Sequence, residues 1–157
     1  MVELSDLSER EKWILRLLYA PIEGGSSSIE GKTRIVKGLF LIDRMFQNKL
    51  GGFAGTGFEF QPYKYGPFDE SIYHALDRLE EDNLIEKHVN GQYQGNEFRL
   101  TVDGERLARE AFEELDEEEQ ELLIWIKGKH INQPVAQLLS FVYNRYPDMA
   151  ENSEYTA

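Results

Sequence analysis

Apolar residues recur every three or four positions along most of the chain, which is the pattern of helices that bury one face. The first such segment follows Ser8, whose spacing to Glu11 is that of a capping box, and it stops near Ala20 and Pro21. A second segment runs from about residue 33 to residue 48 and has the broadest apolar face. The pattern therefore predicts a helix with one core-facing stripe, followed by a more deeply buried helix.

The middle of the chain changes from a helical to a strand-like period. A turn signal at Gly66-Pro67 precedes a third helical repeat, which ends at Asn83. Two strand-like runs follow, at residues 84 to 89 and 97 to 100, and turn-forming residues separate them. Helix, then hairpin, then another helix is the order of a winged-helix module.

Three more helices are predicted after the hairpin. They open at Thr101, at Asp116 and at Pro134, which are residues that cap or tolerate a first helical turn. These helices exceed what a minimal winged helix needs. The extension, about residues 102 to 146, is therefore expected either to complete the core or to form a homodimer surface.

Together these elements predict a single domain over residues 1 to 146 and a flexible tail over residues 147 to 157. The expected fold class is mainly α with a small β-hairpin wing (α+β), a winged helix-turn-helix with additional C-terminal helices. Residues 21 to 30 are expected to form a loop, because glycine and serine are frequent there. Residues 58 to 63 alternate as a short strand that could pair with the wing, and Val89 is expected to anchor the wing to the core.

Composition and charge narrow the classes of function. The chain has 157 residues and no cysteine, which excludes disulfides, thiolate zinc sites and cysteine nucleophiles. No apolar run approaches the roughly 18 to 20 residues that span a bilayer, so we expect a cytoplasmic protein without a membrane partner. The formal net charge of −12 opposes DNA binding globally, because DNA affinity depends on cations that meet phosphates.

Catalytic chemistry has little support in the sequence. The histidines His74, His88 and His130 lie in separate contexts, and no nucleophile–base arrangement is legible. Gly31-Lys32-Thr33 matches the end of a phosphate-binding loop, but Ser26 occupies the position of its first glycine. His74 and the carboxylate one helical turn before it lack a second histidine for a metal site. We therefore expect no enzyme, no cofactor and no metal.

The third predicted helix and the wing are the candidate binding surface, because these elements read DNA in helix-turn-helix proteins. The outward face of this helix is acidic, with Glu70 and Asp77 among its residues, and such a face would oppose phosphates. The second helix carries the densest basic stretch, from Lys32 through Lys37 to Lys49, expected to contact phosphate or an acidic partner, or to be a solvated face. The candidate DNA- or partner-binding residues are Lys32, Arg34, Lys64, Tyr65, Tyr73, His74, Arg78, Lys87, His88, Tyr93 and Arg99.

Two motifs carry a resemblance to a known family. They are Lys37-Gly38-Leu39-Phe40-Leu41 on the second predicted helix and Tyr63-Lys64-Tyr65-Gly66-Pro67 ahead of the third. In these motifs the chain resembles the Panacea domain of SocA-type antitoxins and related uncharacterised prokaryotic winged-helix proteins. The resemblance spans roughly residues 31 to 146. It implies a non-enzymatic antitoxin, adaptor or regulator.

Two functions therefore stay open. The first is a DNA-binding transcriptional regulator that uses its basic residues locally, and it is preferred because winged helices so often bind DNA. The alternative is a protein-interaction module, antitoxin-like or adaptor-like, whose acidic third helix binds a basic protein partner.

Overall fold

The computed structural model describes residues 2–22, 28–89 and 96–151. Within these residues the helices are α1 (Glu9–Tyr19), α2 (Lys32–Lys49), α3 (Ser71–Glu81), α4 (Val102–Glu113), α5 (Glu117–Ile126) and α6 (Val135–Arg145). A π-helical turn, Lys127–Ile131, continues α5, and 3-10 turns occupy Leu4–Asp6 and Pro147–Met149. The strands are β1 (Ile29–Glu30), β2 (Gln61–Tyr63), β3 (Gly66–Phe68), β4 (Ile85–Val89) and β5 (Asn96–Leu100). The protein is mainly helical with small antiparallel sheets, which confirms the α+β class.

Helix starts and ends follow local signals in the sequence. Ser8 and Glu11 form the predicted capping box of α1, and Thr101 caps α4 by accepting a hydrogen bond from the Gly104 amide. Asp116 opens α5 through a second capping box. Asn83, after α3, has a positive φ of 59°, a conformation that asparagine tolerates better than most residues. The predicted boundaries of these helices are confirmed.

α2 lies at the centre of the core, as its broad apolar face predicts. Its buried side chains include Ile35, Leu39, Phe40 and Phe46, and none of these four is measurably exposed. Phe40 packs edge-on against Phe60, with ring centroids 5.3 Å apart. Burying an aromatic or aliphatic side chain of this size stabilises a fold by about 1.5–3 kcal/mol, so α2 is the main source of apolar stabilisation.

The C-terminal helices contribute to the same core. Leu123 and Ile126 of α5 and Leu138 and Val142 of α6 are buried against the rest of the chain. The 3-10 turn after α6 also buries Met149, and Asp148 forms an ion pair with Arg44 of α2 at 3.0 Å. The first residues of the segment predicted to be a flexible tail therefore pack on the domain. Residues 152–157 of that segment lie outside the described residues.

The main sheet has the strand order β1-β5-β4 and is antiparallel throughout. β5 lies in the middle, where Phe98 is opposite Ile29 on one side and Lys87 on the other. The prediction of a loop over residues 21 to 30 is therefore wrong for Ile29 and Glu30. A strand of two residues is too short to show an alternating pattern, so its pairing with β5 decides its structure.

The predicted strand at residues 58 to 63 does not join the wing. Its last residues form β2, which pairs with β3 in a separate two-stranded sheet, so Gly66-Pro67 is part of a strand rather than a turn. Pro62 lies opposite Pro67, at a position between the pairs that exchange hydrogen bonds, where the missing N–H groups cost nothing. We call this element the inserted hairpin.

The wing, β4 and β5, is anchored to the core through apolar side chains on its inner face. Ile85 and Phe98 are each 1% exposed, as predicted for the inner face. Val89 is 86% exposed, so the expectation that it anchors the wing is wrong. Its partner in the register is Asn96, at the distal end of the two strands and away from the base where Ile85 is buried.

A substitution at Gly104 tests how closely α4 approaches the start of the wing. A Cβ on Gly104 would lie 1.8 Å from the Leu84 carbonyl oxygen, a backbone atom. We expect Gly104→Ala to lower the free energy of unfolding by at least about 2 kcal/mol, even though alanine favours a helix by about 1 kcal/mol. Urea denaturation measures this change.

The matched control is Gly128→Ala, because a Cβ on Gly128 would meet no atom within 4 Å beyond its chain neighbours and its own helical backbone. It is expected to be neutral or to stabilise the protein by up to about 1 kcal/mol. Equal effects of the two substitutions would contradict the packing of α4 against Leu84.

Candidate functional site

The start of α3 is fixed by the carboxylate of Asp69. Its two oxygens accept the amide hydrogens of Ser71 at 2.8 Å and Glu59 at 2.7 Å. Burial raises the pKa of Asp69, but these hydrogen bonds outweigh burial and leave the pKa below its ordinary value. The segment before the helix and the helix start are thus held by one charged group.

The predicted inner and outer faces of α3 are both confirmed. Its inner face buries the residues Ile72, Ala75, Leu76 and Leu79. Its outer face exposes Glu70, His74, Asp77, Arg78 and Glu81. We call these five residues the α3 face. It presents more carboxylates than cations.

The cations of the α3 face lie close to carboxylates. His74 Nε2 is 3.9 Å from an oxygen of Glu70, one helical turn away. Arg78 reaches to within 3.9 Å of Glu11, the buried carboxylate of the α1 capping box. These pairs reduce the positive charge that the face can offer to a phosphate.

The wing shows the same pairing. Lys87 Nζ is 3.4 Å from Glu80, and His88 Nε2 is 3.0 Å from Glu86. The Arg99 guanidinium pairs with the carboxylate of Glu97, two residues before it on the same strand. Tyr93, the remaining predicted contact of the wing, lies outside the described residues.

The basic stretch of α2 does not form one solvated face. Arg34 donates to the backbone carbonyls of Glu30 and Gln133, so it links β1 to the segment that precedes α6. Lys37 is only 5% exposed, although the sequence pattern grouped it with the polar positions. Its Nζ donates to the Pro67 carbonyl at 3.0 Å and ties the inserted hairpin to α2.

A cleft lies between α2, the inserted hairpin and α3, with a volume of about 350 Å³. Its walls are Thr33, Val36, Lys37, Tyr63, Lys64, Tyr65, Gly66, Phe68 and Tyr73, and we call it the aromatic cleft. It brings together three of the predicted site residues, Lys64, Tyr65 and Tyr73. A fourth, Lys32, places its ammonium 4.5 Å from the centre of the Tyr73 ring.

Lys37 is the functional candidate that the sequence did not single out. Burial lowers the pKa of its ammonium from 10.5 to about 8. The signal in the sequence was a lysine next to Gly38, between Val36 and Leu39 on a mostly apolar helix. Nothing local shows that the distant Pro67 carbonyl would lie beside it.

Gly66 explains how the hairpin can lie so close to the C-terminal helices. It has a φ of 91°, which favours glycine, and a Cβ there would lie 2.7 Å from the Tyr143 ring of α6. The Gly-Pro step in the sequence therefore serves close packing as well as strand formation.

Across residues 2–22, 28–89 and 96–151, no group of three or more histidine, aspartate or glutamate side chains is arranged to hold a metal ion. In the same part of the chain, no helix combines the length and the apolar character needed to cross a bilayer.

The buried ammonium of Lys37 predicts a specific dependence of stability on pH. Its pKa is about 8 in the folded protein and 10.5 in the unfolded chain, so the unfolded chain binds more protons between these values. Stability therefore rises with pH across this window. We expect the free energy of unfolding of the wild type, relative to Lys37→Met, to increase by about 1–3 kcal/mol between them.

Urea denaturation at several pH values measures this difference. Lys129→Met, at an exposed position, is the control for the loss of one lysine. A difference between wild type and Lys37→Met that stays constant across the window would contradict the buried state of the Lys37 ammonium.

No family model, no curated protein and no solved structure matches this chain. The resemblance to the Panacea domain therefore stays an expectation drawn from residues 37–41 and 63–67. The features of this protein that bear on its function are the α3 face, the wing and the aromatic cleft.

Proposed function

We propose that the protein is a non-enzymatic winged-helix module that binds a protein partner through its acidic α3 face. The partner would present a basic surface, as a toxin or another client of an antitoxin-like or adaptor-like protein could do. The sequence alone favoured a DNA-binding regulator, and here the protein-interaction module is proposed in its place.

The order of elements supports the winged-helix part of this proposal. α1, β1, α2, α3 and the wing follow one another as in a winged helix, and β5 lies between β1 and β4 in the sheet. α3 would then occupy the position of the recognition helix. The inserted hairpin is a departure, because α2 and α3 are joined by residues 50–70 rather than by a turn of three or four residues.

The carboxylates of the α3 face are the reason to propose a protein partner rather than DNA. Glu70, Asp77 and Glu81 are exposed there, whereas Arg78 and the wing residue Lys87 each lie near a carboxylate. A duplex would have to bring phosphates against this negative surface, which costs affinity. A basic protein surface would instead be attracted and oriented by it.

DNA binding by a dimeric regulator is the second candidate. The strand order and the exposed α3 favour it, because a helix in this position enters the major groove in helix-turn-helix proteins. A homodimer through the C-terminal helices would have to use residues that the core leaves exposed, such as Trp125 of α5.

The double variant Asp77→Lys with Glu81→Lys distinguishes the two functions. Both residues are exposed on α3, one helical turn apart. We expect the variant to lose at least about tenfold in affinity for the protein partner, because like charges would now face each other. Copurification from the source organism identifies the partner, and titration with the purified partner measures the affinity.

The matched control is Glu113→Lys with Glu121→Lys, which makes the same change in net charge at exposed positions of α4 and α5. It should keep the partner. The proposal would be overturned, and the regulator supported, by two results together. The α3 variant would retain the partner, and it would bind a labelled DNA duplex more tightly than the control variant does.

A further inference from the structure

We propose that the aromatic cleft binds a small aromatic carboxylate, with the carboxylate directed to Lys37 and the ring between the tyrosines. This site is separate from the partner surface proposed above, because Asp77 and Glu81 do not line the cleft. It rests on three properties of the cleft: its aromatic walls, its local charge and the buried lysine.

Exposed tyrosine rings form the rim of the cleft. Tyr63, Tyr65 and Tyr73 expose 51%, 60% and 36% of their surface. Phe68 packs edge-on against Tyr63 and Tyr73, with ring centroids 5.4 Å and 5.1 Å away, so both rings are held in place before a ligand arrives. Such rings gain from contact with another planar apolar group, stacked or edge-on.

The local charge of the cleft is opposite to that of the whole chain. The chain has 29 aspartate and glutamate residues, yet the side chains that the structure places around the cleft include no carboxylate. Lys37 and Lys64 line it, and Lys32 lies against the Tyr73 ring at its edge. The cleft therefore attracts an anion, whereas the surrounding surface repels one.

The Lys37 ammonium is the group to which such an anion would bind. An ammonium group has three donors, and a buried charge is costly unless a counter-charge accompanies it. Lys37 donates to the Pro67 carbonyl, and none of the described residues places a carboxylate within ion-pair distance of it. At neutral pH most of this group is protonated, because burial lowers its pKa only to about 8. A ligand carboxylate would supply the missing counter-charge.

The size of the cleft indicates the class of ligand. A volume of about 350 Å³ is at the lower end of the range of about 300–1,000 Å³ for small-molecule pockets. The one buried ammonium among the lysines that line the cleft, that of Lys37, matches the single charge of a carboxylate, whereas a phosphate group carries close to two charges. A compact aromatic acid fits both limits.

The probe for the test is 1-naphthoate, and its neutral counterpart is 1-naphthalenemethanol. Each is titrated into the full chain by calorimetry, and amide shifts in the ¹H–¹⁵N spectrum report whether residues of the cleft respond. We expect wild type to bind naphthoate at least about tenfold more tightly than the neutral probe. Lys37→Met should remove this preference, and Lys129→Met should keep it.

A second variant keeps the test decisive if Lys37→Met does not fold. Tyr65→Ala removes an exposed ring of the rim and should weaken naphthoate binding several-fold. Absence of naphthoate binding, equal binding of the two probes by wild type, or an unchanged affinity in Tyr65→Ala would overturn the proposal.

Two further probes separate the sources of the anion. Tighter binding of 1-naphthyl phosphate than of naphthoate would overturn the proposal that the ligand is a carboxylate. Tighter binding of N-acetylphenylalanine than of naphthoate would overturn the proposal of a free small molecule and assign the site to the end of a peptide chain. The variant Asp77→Lys with Glu81→Lys should bind naphthoate as wild type does. Failure at the α3 face and failure at the cleft are therefore distinguishable.

Discussion

The hydrogen bond from the buried Lys37 ammonium to the Pro67 carbonyl holds the inserted hairpin against the central helix α2. Its strength comes from its surroundings, because a charged donor in a poorly solvated site binds a carbonyl more strongly than it would in water. The hairpin in turn carries Tyr63 and Tyr65 to the rim of the aromatic cleft. Gly66 lets the same hairpin lie against Tyr143 of α6. The inserted hairpin is thus held to α2 by one ammonium group and to α6 by close packing at Gly66.

Two further buried cations, Arg16 and Lys127, also bind backbone carbonyls. Arg16 donates to the Ala111 carbonyl at the end of α4, and Lys127 donates to the carbonyls of Leu18 and Ala20 at the end of α1. Cations are favoured at the C-terminal ends of helices, where carbonyl groups lack helical partners. Arg16 also forms ion pairs with the carboxylates of Glu9 and Glu114, so the same guanidinium satisfies a backbone carbonyl and two partly exposed carboxylates. Both cations therefore connect α1 with the C-terminal half of the chain.

Sequence reasoning recovered what local signals determine. The capping box at Ser8, the start of α5 at Asp116 and the buried stripe of α3 depend on residues within a few positions of one another, and the structure has them as predicted. The errors concern contacts between distant segments. Ile29 becomes a strand only because Phe98 pairs with it, and Lys37 is buried only because Pro67 lies beside it. For the same reason the sequence suggested a basic stretch on α2 but could not show which of its lysines faces the cleft.

Tyr73 connects the two proposed surfaces. Its ring lines the aromatic cleft, while His74 and Asp77 on the same helix face the solvent. A ligand in the cleft would therefore contact α3 from one side, and the proposed protein partner would contact it from the other. Such a ligand can change partner affinity only if it binds the free and the partner-bound forms differently, and the coupling is then equal in both directions. Because Asp69 fixes the start of α3 through the Glu59 and Ser71 amides, a difference of this kind would have to arise from the tyrosine rings and the Lys32 ammonium rather than from movement of the helix start.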